Sequence, residues 1–159
     1  MKLSLILFLI IIIFVIIFYY KNKNKNKLTS DDISSLTDQW IEEVTVNNDP
    51  DAVAKLFCSD GNLIGTVSQV KRKGSDIKKY FDYFASLPKI QVIAKSYNIS
   101  KVTSDVFINT AFVTWYWKGL KKPVIARMTF IYRNKCIFQL HSSVLPDLNK
   151  SLLKVSNRE

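Results

Sequence analysis

The hydrophobic and polar positions of this chain fall into three regimes. Leu3 to Tyr20 is a continuous run, uncharged and interrupted only by Ser4. Residues 28–88 space their apolar positions by three and four. From Lys89 to Pro146 the spacing changes to two. As a helix, the first run would cover roughly 27 Å, close to the hydrocarbon thickness of a bilayer. Phe18-Tyr19-Tyr20-Lys21 contains no small residue for cleavage, and Tyr19 and Tyr20 suit the membrane–water boundary. Residues 1–20 therefore read as an uncleaved transmembrane anchor, with a secretory signal peptide and a buried helix as the competing readings. Lys21, Lys23, Lys25 and Lys27 alternate with asparagine and make residues 21–29 a hydrated spacer, free to touch anionic headgroups. These lysines put the positive flank on the carboxyl side of the run. The expectation is a single-pass membrane protein whose folded domain lies on the cytoplasmic side.

The second regime predicts three helices. Thr29 caps the first, with Asp32 three residues on as a capping box. Ile33, Leu36, Trp40, Ile41 and Val44 share one face as far as Asn47-Asn48. Asp49-Pro50 opens a second, short helix with Ala52, Val53, Leu56 and Phe57 inward and Asp60-Gly61 as its stop. A short strand, Asn62–Val67, contains Gly65, which marks a bulge or a close backbone approach. The third helix starts at Gly74-Ser75-Asp76 and carries the strongest stripe, Ile77, Tyr80, Phe81 and Phe84, before Leu87-Pro88.

The third regime predicts four long strands: Ile90–Ile99, Val106–Trp117, Pro123–Arg133 and Cys136–Val144. The last two are joined by Asn134-Lys135. Helices followed by strands argue for an α+β domain over residues 30–146, a curved and mostly antiparallel sheet with helices on one face. Residues 147–159 read as a polar tail.

Composition changes this picture little. About half of the net charge of +10 sits in Lys2 and the spacer lysines, so the domain itself is only mildly basic. The Lys71-Arg72-Lys73 triplet reads as a solvated turn, and no nucleic-acid motif surrounds it. Cys58 and Cys136 read as small buried hydrophobes, with a single bridge as the alternative. Asn98-Ile-Ser100 and Asn149-Lys-Ser151 match the glycosylation pattern, which matters only in a lumen.

Four segments carry a resemblance. Leu63-Ile-Gly-Thr-Val-Ser68, Gly74-x-x-Ile77-x-x-Tyr80-Phe81, Ala126-Arg-x-Thr-Phe-x-Tyr-Arg133 and His141-Ser-Ser-x-x-Pro146 together resemble the NTF2-like superfamily. Within it, the chain is most like the group akin to the association (hub) domain of calcium/calmodulin-dependent protein kinase II. The resemblance implies a cone: a bent sheet around a long helix, with an internal cavity, assembled as a homodimer or larger ring. Two cavity arginines of the kinase hubs fall at Phe130 and Ser142 here, so a small-carboxylate site is not carried over.

Strand alternation sorts the chemistry. If the hub positions face inward, Met128, Phe130, Tyr132, Leu140 and Ser142 line the cavity. Arg127, Arg133, Gln139, His141 and Ser143 then lie on the outer face, where this family often meets a partner subunit. Enzymes of this fold need a base inside the cone, yet Asp105 is the only carboxylate between Lys89 and Pro146, and it sits in a turn. His141, the one histidine, is the sole catalytic candidate. Its structural or interface role is the blander reading. One histidine cannot hold zinc, and no metal or other cofactor is implied. Trp115 and Trp117 read as packing rather than a ligand platform. The expected function is self-association or binding. A His141-based isomerase or dehydratase, and a carrier of a small apolar ligand, are the alternatives.

Overall fold

The computed structural model describes residues 11–15, 17, 28–66, 68 and 70–145. Helix α1, Ser30–Glu42, begins where the sequence placed its cap. The Thr29 hydroxyl accepts from the Asp32 N–H (3.2 Å), and the Asp32 carboxylate accepts from the Thr29 N–H (2.8 Å). The Thr29 hydroxyl also donates to the Asp32 carboxylate (2.7 Å), and that bond first, then the one from the Thr29 N–H, lowers the Asp32 carboxyl below its ordinary range. The helix runs into a π-helical turn, Glu43–Asn47, closed by Asn48 in a left-handed conformation (φ 49°). Asp49 caps the short α2, Pro50–Lys55, by accepting from the N–H groups of Asp51 and Ala52. Helix α3, Ser75–Phe84, presents the predicted stripe, with Ile77 and Phe81 buried.

The strands are β1 (Phe57–Ile64), β2 (Lys71–Lys73), β3 (Gln91–Lys101), β4 (Val106–Tyr116), β5 (Val124–Arg133) and β6 (Cys136–Val144). They form one sheet in the order β2-β1-β6-β5-β4-β3. Among the described residues only the β1–β6 pairing is parallel; the others are antiparallel. This is the α+β architecture expected, a curved sheet with its helices packed on one face. Trp40 of α1 is the centre of the core. Its ring meets Phe81 (5.7 Å), Phe130 (5.3 Å) and Trp115 (6.1 Å) edge-on, so one residue ties α1, α3, β4 and β5 together.

Four expectations are corrected. The first is the membrane span. Among the described residues no helix is long and apolar enough to cross a membrane. Residues 11–15 and 17 are helical. Residues 1–10, 16 and 18–20, the Lys/Asn spacer to 27 and the tail from 146 lie outside the described residues. The transmembrane helix, the single-pass placement and the membrane localisation are therefore not supported. Second, the segment Phe57–Gly61, read as the end of α2 and its stop, opens strand β1. Its hydrogen bonding to β6, with Phe57 opposite Ile137, overrides the helical spacing of its side chains. Third, the basic triplet is not a turn but β2, paired with Asn62–Ile64. Fourth, Cys58 and Cys136 form a disulfide. Parallel pairing of β1 with β6 brings their Cα atoms to 5.0 Å, a distance that no feature of the sequence announces. Persistent bridges belong to oxidising compartments, so the bridge does not favour the cytoplasmic side expected from the lysine flank.

Candidate functional site

The inner face of the sheet is built as alternation dictates. Met128, Phe130, Tyr132, Leu140 and Ser142 all point inward and are buried. They do not surround one open cavity. At the β5–β6 turn end, Tyr132 is absorbed by a polar network with α1. The Thr37 hydroxyl donates to the Ile33 carbonyl (2.9 Å) and has one proton to give. It therefore accepts from the Tyr132 hydroxyl (2.9 Å) and from Asn109 Nδ2 (2.9 Å). Burial raises the Tyr132 phenol well above its ordinary value. Beside this network, Tyr97 donates to Asp38 (2.5 Å), and Lys95 pairs with the same carboxylate. Burial first, and then the Asp38 carboxylate, raise the Tyr97 phenol.

At the opposite end, toward the β4–β5 connection, the inside of the cone is nearly filled. A space of about 10 Å³, room for roughly one water, remains among Trp40, Thr66, Tyr80, Met128, Leu140 and Ser142. The Thr66 and Ser142 hydroxyls bond each other across it (2.7 Å). Gly65 is required here, because a Cβ at that position would lie 2.4 Å from the Tyr80 ring. The glycine read from the sequence as a bulge or a close backbone approach is thus the floor on which Tyr80 lies. Outside Tyr80 the fold opens into a cleft of about 280 Å³ between α3 and the sheet rim. Tyr83, Phe84, Leu87, Trp115 and Trp117 supply most of its wall. The cleft and the inner space share Thr66, Tyr80, Phe84 and Trp115.

The outer-face residues lie where alternation put them, but they do not converge. Arg127 and His141 are exposed, and Gln139 and Ser143 are half-buried. His141 stands opposite Thr129 of β5 and Ile64 of β1, away from the cone interior. The hydrogen bond that Arg133 donates to Asp60 lowers the Asp60 carboxyl, and the same guanidinium lies over the Phe138 ring (4.5 Å). Asp105 caps its own turn, accepting from the Thr103 hydroxyl (2.7 Å). Among the described residues no group of three or more His, Cys, Asp or Glu could hold a metal ion. Sequence reasoning missed the rim cleft. Its aromatic residues come from two regimes, α3 and the end of β4, and only the tertiary fold brings them together.

No family model matches the sequence, and no curated protein does. Solved structures do match. A candidate calcium/calmodulin-dependent protein kinase II association domain from Xanthomonas campestris is 27% identical, with a TM-score of 0.65, over 76% of this chain and 90% of that one. A second such candidate, from Thiobacillus denitrificans, is 11% identical with a TM-score of 0.61, over 71% of this chain and 94% of that one. A candidate dehydratase of the NTF2-like family from Streptomyces avermitilis is 11% identical with a TM-score of 0.63, over 72% and 95%. The last two likenesses show the fold alone. With the motif pattern and the geometry in agreement, the chain has the fold of these NTF2-like proteins and is similar to the calcium/calmodulin-dependent protein kinase II association-domain group.

Proposed function

We propose that this protein is an assembly module that pairs with a second copy of itself through the outer face of its sheet. The observation that carries the reading is the exposure of Phe112 (52%) and Ile125 (40%) on β4 and β5, both of which are flanked by strands on either side. Large apolar side chains that cluster on the face of a sheet are expected to be covered. The helices pack on the other face, so they cannot cover these two. Phe112 stands opposite Arg127, which in turn stands opposite Ser143, while Thr110, Thr129 and His141 form the neighbouring row. An apolar centre flanked by arginine and histidine has the anatomy of a protein interface. The likeness to an association domain supports the same reading.

The position of His141 on this outer face favours an interface role over that of a base inside the cone. Sedimentation equilibrium tests the proposal. The chain should have at least twice its 18.3 kDa mass at micromolar concentration, and Phe112→Lys should return it to 18.3 kDa. A native chain that stays at the single-chain mass throughout the micromolar range, or a Phe112→Lys variant as associated as the native one, refutes it.

A further inference from the structure

We propose that pairing through the outer sheet face is switched by pH, with His141 as the sensor: the neutral imidazole permits the pair, and its protonated form parts the two chains. The switch acts on the self-pairing and rests on that reading of the protein.

The outer face is cationic. Among the residues of the six strands Asp60 is the one carboxylate, and Arg133 engages it. Lys71 and Lys73 of β2 and Arg127 and Arg133 of β5 share the outer face, whereas Lys95 and Lys101 of β3 stand opposite the buried Val113 and Phe107 and so turn to the helix side. His141 lies among the outer cations. It stands opposite Thr129 of β5 and Ile64 of β1, and Ile64 stands opposite Lys71. Arg127, two residues from Thr129 on the same face, is its diagonal neighbour, at the roughly 7–8 Å of such cross-strand pairs. From β4 only the neutral Thr110 and Phe112 face this group. Every charged group on the strands beside His141 is thus a cation, apart from the engaged Asp60.

In the single chain His141 and Arg127 are exposed, so water solvates the imidazole in either form. Pairing removes that water. A two-fold contact sets the same patch of both copies together, so protonation puts two further cations into a contact with no free carboxylate to meet them. The single chain therefore takes up protons more readily than the pair, and by linkage acid drives the pair apart. Lysine and arginine stay charged between pH 5 and 8, whereas histidine changes charge there. The fixed cations supply the field and the imidazole supplies the change. If both imidazoles must be neutral in the pair, linkage limits the change in dissociation constant to about 100-fold between pH 7.5 and pH 5.5.

Sedimentation equilibrium of the full chain at pH 7.5 and pH 5.5, at equal ionic strength, tests the switch. The dissociation constant should be about 10- to 100-fold weaker at pH 5.5, with tryptophan emission showing a folded chain at both values. His141→Gln and His141→Ala take up no proton there; whatever their affinities, each should pair equally at the two pH values, to within about two-fold. His141→Lys carries the charge permanently and should pair at least about ten-fold more weakly than the native chain at pH 7.5. Equal native affinity at the two pH values, or tighter pairing at pH 5.5, overturns the switch and leaves the pairing standing. A full pH response retained by the Gln and Ala variants also overturns it, by placing the sensor elsewhere. A single-chain mass at both pH values overturns the pairing itself, and the switch with it.

Discussion

Breaking the bridge between Cys58 and Cys136 is the sharpest perturbation this fold offers. The cysteines are 78 residues apart, and the segment between them holds α3 and β1 to β5. Cross-linking a loop of that length removes roughly 15 cal/mol/K of entropy from the unfolded chain, or about 4.5 kcal/mol at room temperature. A domain of this size is stable by only about 5–15 kcal/mol, so the loss is a large share of the whole. The location sharpens the effect. β1 joins the sheet only through β2 and through its parallel pairing with β6. Parallel pairs must close long loops before their hydrogen bonds form. The approach is also tight, because a Cβ on Gly61 would lie 2.7 Å from the Ile137 carbonyl and 2.8 Å from that of Cys58.

The assay is urea unfolding of native chain and of the Cys58→Ala/Cys136→Ala variant, followed by tryptophan emission. With a slope of about 2 kcal/mol/M, the midpoint should fall by about 2 M. The variant's slope should rise, since its unfolded state is less compact. Dithiothreitol should move the native chain to the variant's curve and leave the variant unmoved. Midpoints within 0.5 M of each other would refute the loop argument. Two titratable thiols in unfolded, unreduced protein would refute the bridge itself.

Two further outcomes follow from the interior. Tyr132 and Tyr97 have phenols raised above the ordinary 10.0, so the folded chain resists their ionisation and the unfolded chain does not. Their contribution to stability is complete below pH 10.0 and declines as pH rises beyond it, because the unfolded state then binds fewer protons. Absorbance at 295 nm should show tyrosines that ionise only on unfolding, and Tyr132→Phe should flatten the alkaline loss while costing about 1 kcal/mol at neutral pH for the bond to Thr37. Gly65→Ala should destabilise by about 1–3 kcal/mol, since its methyl group would displace the Tyr80 ring from its floor; an unchanged thermal midpoint would show that Tyr80 does not rest there.

Much of this architecture was legible because local signals agreed with tertiary ones. The Thr29–Asp32 box, the α3 stripe and the period of two in β3 to β6 each specify an element that the fold keeps. Where the reading failed, a non-local contact decided. Phe57 and Cys58 carry helical spacing but hydrogen-bond to a strand almost eighty residues away. The bridge was illegible for the same reason, since two cysteines in a sequence say nothing of a parallel register that sets them side by side. The apolar run at the amino end shows the converse: length and hydropathy alone predicted a span that no described helix supports.

The site shows why face and depth are different questions. Alternation assigns Met128, Tyr132 and Ser142 to the inner face, because a strand exposes alternate residues to alternate sides. It cannot say whether the space in front of them is open. That depends on what α1 and α3 bring. Thr37 meets Tyr132 at one end and Trp40 fills the middle, so the hollow shrinks to the size of a water there and widens only at the rim. The residues that shape the opening, Tyr83 and Trp117, lie outside every motif that carried the resemblance. In a fold whose frame is set by its sheet, the helix side chains that fill or vacate the cone therefore decide what the protein can hold.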